Sequence, residues 1–277
     1  MRRPVVVSTV ALALSLWVVA ACGSGGSAGS GAEQVTAASD PVPAAMCEPG
    51  SSPIVAAYDI DTGAFRWVAC AEGGGMFLAA AATANQVWVE QAGATTRRFV
   101  LDATTGAVAG DADAADVPDD ADYRTKGPPT LDGVHVRGGQ DDPLMGVDRT
   151  TGEVVWQAEG HPYYDDVWAY GDGAVFVDAW DPTGTTPGSW IAAYEIVSGA
   201  ERWRWSPDVG YASPWHATGE RLFALGADLW VIATSDGTVM WHTSYAPSAT
   251  GYPRMFGALA NDDSVFVSFT TEASGGD

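Results

Sequence analysis

The chain is poor in cations: 13 Lys+Arg stand against 35 Asp+Glu, Lys126 is the only lysine, and the formal net charge is −22. That balance excludes the phosphate-neutralising surface of a nucleic-acid binder, and it excludes electrostatic attachment to anionic lipid headgroups. Cysteine is scarce, with Cys22, Cys47 and Cys70 and no adjacent pair. Histidine occurs at 135, 161, 216 and 242 only, without H-E-x-x-H and without cysteine at ligand spacing, so no metal site is expected there. No serine from residue 53 onward sits in a G-x-S-x-G setting, which leaves nucleophilic hydrolysis without a motif in the globular part. Sustained helical periodicity is missing from residue 53 onward, and the globular part reads as all-β.

What is there begins with an export signal. Met1-Arg2-Arg3 precedes an uncharged, largely apolar run over 5–21 that ends in small residues. Left uncleaved, this run is just long enough to span a bilayer and would leave the domain in the same compartment. It meets Val19-Ala20-Ala21-Cys22, which resembles a bacterial lipobox; by that resemblance Cys22 is diacylated and becomes the new N-terminus. The Gly/Ser-rich tract 23–31 is a flexible spacer of the kind an anchored domain needs. Residues 1–21 therefore read as a lipoprotein signal peptide, 22–52 as a Gly/Ser/Ala/Pro-rich linker and 53–277 as the folded domain. The expected location is the cell membrane, lipid-anchored, facing outside the cytoplasm. Cys47 and Cys70 flank the first hairpin of a chain placed where disulfides persist, and they are expected to pair.

One stretch sets the pattern for the domain: Ala57-Tyr58-Asp59-Ile60-Asp61-Thr62-Gly63-Ala64-Phe65-Arg66-Trp67. It reads as a hairpin, with Asp61-Thr62-Gly63 as its turn and Trp67 four residues past the glycine. Degraded copies recur around Gly106, Gly152, Gly199 and Gly237, at intervals of 43, 46, 47 and 38 residues. A period of that size, with short strands inside each unit, marks a β-repeat array. Trp156, Trp203 and Trp241 keep the tryptophan's place, but Gly110 holds it in the second unit, where a weak outer dock is expected. Between the hairpins lie strands such as Gln86-Val87-Trp88-Val89 and Ala174-Val175-Phe176-Val177. The chain starts with a hairpin and ends with such a strand, 264–269. If that strand completes the first unit, five four-stranded blades close into a ring; the alternative is a fragment of a larger ring.

Ala57, Asp59, Thr62, Gly63 and Trp67 match A-x-D-x-x-T-G-x-x-x-W, and the chain in this respect resembles the quinoprotein-type, or PQQ-like, β-propellers over about 53–270. The resemblance implies that Trp67, Trp156, Trp203 and Trp241 pack on neighbouring blades and that the most regular residues are structural. It also implies a choice between quinone-dependent dehydrogenases and non-catalytic binding or scaffold propellers. The enzymes of that family carry an adjacent cysteine pair, calcium ligands and a catalytic aspartate in a longer chain. This chain has no such pair, so no enzymatic activity and no cofactor are expected. A degenerate PQQ-dependent dehydrogenase and a carbohydrate-binding surface module are the alternatives. The expected partner is an envelope protein or a surface ligand, with the membrane reached through the lipid anchor alone.

Two stretches offer candidate sites. The acidic run Asp111, Asp113, Asp116, Asp119, Asp120 and Asp122 has oxygens for calcium but lacks the glycine and terminal glutamate of an EF-hand loop, and reads as a solvated inter-blade loop. Aromatic residues gather in inter-blade connections: Tyr163, Tyr164 and Trp168, then Trp180 and Trp190, then Trp215 with His216. Tyr163, Tyr164, Trp168, Trp215 and His216 form the candidate binding face, with core or rim packing as the structural alternative.

Overall fold

A single turn design sets the hairpins. The Asp59 carboxylate accepts from the backbone N–H groups of Asp61 and Thr62 at 3.2 and 3.0 Å and from the Thr62 hydroxyl at 2.8 Å, and the chain reverses through Gly63 at φ 72°. Asp102 holds Thr104 and Thr105 in the same way, and Asp148 holds Thr150 and Thr151. An aspartate that bonds the backbone just ahead of it favours the turn over a continued strand. These bonds also favour the ionised carboxylate. The Arg66 guanidinium, 2.6 Å away, and then Thr62 hold Asp59 down at about 2, while Thr105 and Thr151 lower Asp102 and Asp148.

Carboxyls depressed in the folded state stabilise it above their unfolded pKa, near about 4, and lose that contribution as pH falls towards the folded value. The urea midpoint is therefore expected to drop between roughly pH 5 and pH 2, and to drop less steeply in Asp59→Asn. Parallel pH profiles for the two proteins would show that Asp59 carries none of the effect.

The computed structural model describes residues 47–49, 51–72, 75–92, 97–112, 122–123, 129–138, 143–158, 169–180, 189–208, 212–226, 228–244 and 254–271. All regular structure among them is strand. Strands β1 (Ser51–Asp59) and β2 (Phe65–Glu72) form the first hairpin. The second sheet is β3 (Gly75–Ala82), β4 (Gln86–Ala92), β5 (Arg97–Asp102) and β6 (Val108–Asp111), paired in chain order, with β7 (Asp122–Tyr123) added beside β3. The third is β8 (Thr130–Leu131), β9 (Val134–Arg137), β10 (Met145–Asp148) and β11 (Val154–Gln157). The fourth is β12 (Ala169–Gly171), β13 (Ala174–Trp180), β14 (Ser189–Glu195) and β15 (Glu201–Trp205). The fifth is β16 (Ala212–Thr218), β17 (Arg221–Gly226), β18 (Asp228–Ala233) and β19 (Val239–Ser244).

The last two strands, β20 (Arg254–Ala260) and β21 (Ser264–Thr271), return to the start: β21 pairs with β1, from Val55 opposite Ser268 to Asp59 opposite Ser264. The first blade is thus β20-β21-β1-β2, built from both ends of the described domain. Of the two sequence readings, closure by 264–269 is the one the strands adopt. The far end of β21 also pairs with β3 through Thr270 and Met76, which merges blades 1 and 2 into one nine-stranded sheet. The architecture is an antiparallel β-propeller of five four-stranded blades.

Side chains alternate across each strand, so every blade offers one apolar face to each neighbour. Separate buried clusters join blade 1 to blade 2, blade 3 to blade 4, blade 4 to blade 5 and blade 5 to blade 1. An indole reinforces each of these seams. Trp67 Nε1 donates to the Ala103 carbonyl at 2.9 Å, Trp156 to Ile196 at 2.9 Å, Trp203 to Thr234 at 2.9 Å and Trp241 to Ile60 at 3.0 Å. The acceptor in each case lies three residues before the next blade's turn glycine. That glycine is required by the contact itself: a Cβ on Gly63 would stand 2.6 Å from the Trp241 ring, at a φ that already disfavours other residues. Buried polar links add to the seams. Ser213 donates to Asp178 at 2.5 Å between blades 5 and 4, and the Ala79 N–H donates to Ser268 Oγ at 2.7 Å between blades 2 and 1.

Candidate functional site

Two seams carry the same scaffold and differ in the side chains at one end. Between blades 4 and 5, Trp205 lies two residues past the docking Trp203 and meets Trp230 of β18, ring centroids 5.1 Å apart; Trp230 in turn stacks on His242 at 4.3 Å. These rings fill that end of the seam. Between blades 1 and 2 the residue two past Trp67 is Ala69, which is buried, and the place of Trp230 is held by Phe99. A groove of about 340 Å³ opens between these two blades.

Its apolar surface comes from Ile54, Ala71, Phe77, Phe99 and Val108, with Phe77 and Phe99 edge-to-face at 6.4 Å. Val108 is 67 % exposed at the lip, although it belongs to a strand whose hairpin partner β5 is partly buried. The polar rim is Glu72, Gln91, Arg97 and Asp111, with Arg97 Nη2 3.5 Å from Asp111 Oδ1. This pair is exposed and screened, so it adds little to the stability of the blade. Cys70 closes one wall and is bonded to Cys47, Cα to Cα 5.8 Å. The expected disulfide is therefore present, and it fixes the segment at Cys47 against the end of β2. Apolar walls with a few rim charges suit a binding cleft for an extended segment or a small amphipathic ligand.

Of the residues expected from sequence to form a binding face, Trp215 and His216 are described, and neither lines this groove. Trp215 is half-buried against the cluster joining blades 5 and 1, and His216 is buried with its ring stacked on Phe223 at 6.0 Å. Tyr163, Tyr164 and Trp168 lie outside the described residues, as do Cys22 and Asp113, Asp116, Asp119 and Asp120. Trp190 is half-buried under the Arg204 guanidinium, 5.0 Å from its ring. Asp111 is the one member of the acidic run whose side chain is described, and it belongs to the groove rim. Among the described residues no group of three or more His, Cys, Asp or Glu is placed to hold a metal ion, and no helix is long and apolar enough to cross a membrane.

No protein-family model matches the chain, and no curated protein matches it. Solved structures do. BamB from Moraxella catarrhalis is 17 % identical, with 81 % of this chain and 70 % of that chain covered at a TM-score of 0.36. The quinohemoprotein alcohol dehydrogenase ADHIIG from Pseudomonas putida HK5 is 14 % identical, with 69 % and 39 % covered and a TM-score of 0.33. The quinohemoprotein alcohol dehydrogenase from Comamonas testosteroni is 13 % identical, with 74 % and 38 % covered and a TM-score of 0.36. The likeness is one of fold. This chain spans under two-fifths of either dehydrogenase, and at such identities and scores nothing about activity or partners transfers.

Proposed function

We propose that the chain is an exported, lipid-anchored propeller that works by binding, as a non-catalytic scaffold for an envelope protein or as the ligand-receiving part of a surface complex. The observation that carries this reading is the groove between blades 1 and 2. Its residues supply apolar area, shape and a charge pair, which is the chemistry of recognition. The lipobox-like Cys22 and its spacer supply the anchoring, and the Cys47–Cys70 disulfide suits a compartment outside the cytoplasm.

The test is site-specific photo-crosslinking in intact cells. A photoreactive residue at Val108, on the groove lip, is expected to give a discrete adduct with an envelope component, whereas one at Val197, an exposed turn position on blade 4, is not. Equal labelling from both sites, or none from Val108, would remove the groove from the proposal. Cys22→Ser is expected to abolish metabolic labelling by a fatty-acid analogue. Dye-linked dehydrogenase turnover after addition of PQQ and calcium to the purified chain would overturn the non-catalytic assignment.

A further inference from the structure

The blade 2 to blade 3 seam differs from the other four. Gly110 of β6 stands where the other outer strands place their tryptophan, and no described residue lies within 4 Å of a Cβ built on it. Across the seam, Gly152 turns at φ 76° as its four counterparts do, yet no described residue lies within 4 Å of its Cβ position either, whereas Gly63, Gly106, Gly199 and Gly237 are each covered by an indole. The Arg149 carbonyl, three residues before Gly152, occupies the place from which Ile60, Ala103, Ile196 and Thr234 accept their indole N–H.

The facing side of blade 2 is prepared for a contact it does not make within the described residues. Val87 and Val89 belong to the cluster shared with blade 1, so Trp88 between them points the other way. It is buried with Ala81 and Val100 in a small cluster to which blade 3 contributes no buried residue, and its indole N–H has no acceptor among the described residues. A buried donor without a partner is costly, and native structures keep few.

We propose that this vacant dock receives a tryptophan carried on an extended segment of a partner protein. Four copies of the socket within the same chain specify the chemistry: an indole face laid on a glycine, an N–H donated to a carbonyl, and a strand-like backbone bringing it there. Such strand-borne anchors are a recurrent way to recognise a peptide, and tryptophan in a fitted pocket is a common energetic centre of an interface. This surface is separate from the groove between blades 1 and 2, and either assignment stands without the other.

The experiment is NMR of the isotopically labelled full chain in detergent micelles, reading the glycine α-proton shifts. Gly63, Gly106, Gly199 and Gly237 are expected far upfield from the ring current of their indoles, and Gly152 at an ordinary position. The probe is a synthetic peptide copying Thr151–Gln157, the segment that carries Trp156. Adding it at millimolar concentration is expected to move Gly152 towards the other four, and its Trp→Ala version to leave Gly152 in place. Gly110→Trp is expected to move Gly152 without peptide and to block the titration. A Gly152 already upfield in the free protein would mean that a residue of this chain fills the dock, and a Gly152 unmoved by the tryptophan peptide would mean that the dock takes none; either overturns the proposal. The wild-type titration decides the matter whether or not Gly110→Trp folds.

Discussion

Trp241→Ala is expected to cost about 3–5 kcal/mol of unfolding free energy, more than a typical surface or rim substitution. The residue is 3 % exposed, and its indole joins blade 5 to blade 1 within a cluster that includes Tyr58, Ile60, Phe223, Leu229 and Val265. Truncation removes that aromatic area and leaves a hole above Gly63, where the backbone cannot move in to fill it without losing the turn. The Ile60 carbonyl loses its donor as well, though water can reach a seam opened at its rim, so the hydrogen bond is the smaller part of the loss. The ion pair of Arg221 with Asp61 also crosses this seam, but it is largely exposed and offsets little of the loss. Urea unfolding followed by both fluorescence and circular dichroism measures the effect. Because repeat arrays can come apart unit by unit, non-coincident curves in the variant would show that blade 5 separates first. A loss under about 1 kcal/mol would mean that the indole clamps nothing.

Cys70→Ser is the second large effect, expected at about 3 kcal/mol for a closed loop of this size. Cys47 and Cys70 are 23 residues apart, and the loop between them contains β1, the strand against which β21 closes the ring. The stretch around Cys47 is tied as well by the Ser51 N–H donating to the Glu48 carbonyl at 2.9 Å. The disulfide forms a wall of the groove, so its loss is expected to lower crosslinking from Val108 together with stability. The control is reduction: dithiothreitol should bring the wild-type urea midpoint down to that of Cys70→Ser and leave the variant unchanged. A midpoint insensitive to reduction would contradict the stabilising role.

The parts of the fold that were legible in the sequence are those in which one local rule decides the structure. Asp59, Asp102 and Asp148 with their following threonines and glycines announce hairpins because the turn is made by neighbours along the chain. The strands around Val87, Phe176, Phe223 and Phe266 are legible because they are buried on both faces and rich in β-branched and aromatic residues. The inner strands were not. β3 reads GMFLAAAA and β20 reads RMFGALA, compositions that local propensity assigns to a helix as readily as to a strand; crowding near the axis, which only the closed ring creates, selects those small residues. The groove was illegible for a related reason. It is lined by Ile54 and Ala71 on one blade and by Phe77, Phe99 and Val108 on the next, and no short-range pattern links them.

The first blade has a kinetic consequence. Since β1 and β2 come from the beginning of the domain and β20 and β21 from its end, the outer half of that sheet must wait, with one edge unpaired, until residues 264–271 have been made. Until then the arc cannot shut, and the most sequence-distant contact is also the last. A chain threaded through a membrane in order would thus emerge pliant, and would lock only when its tail arrives.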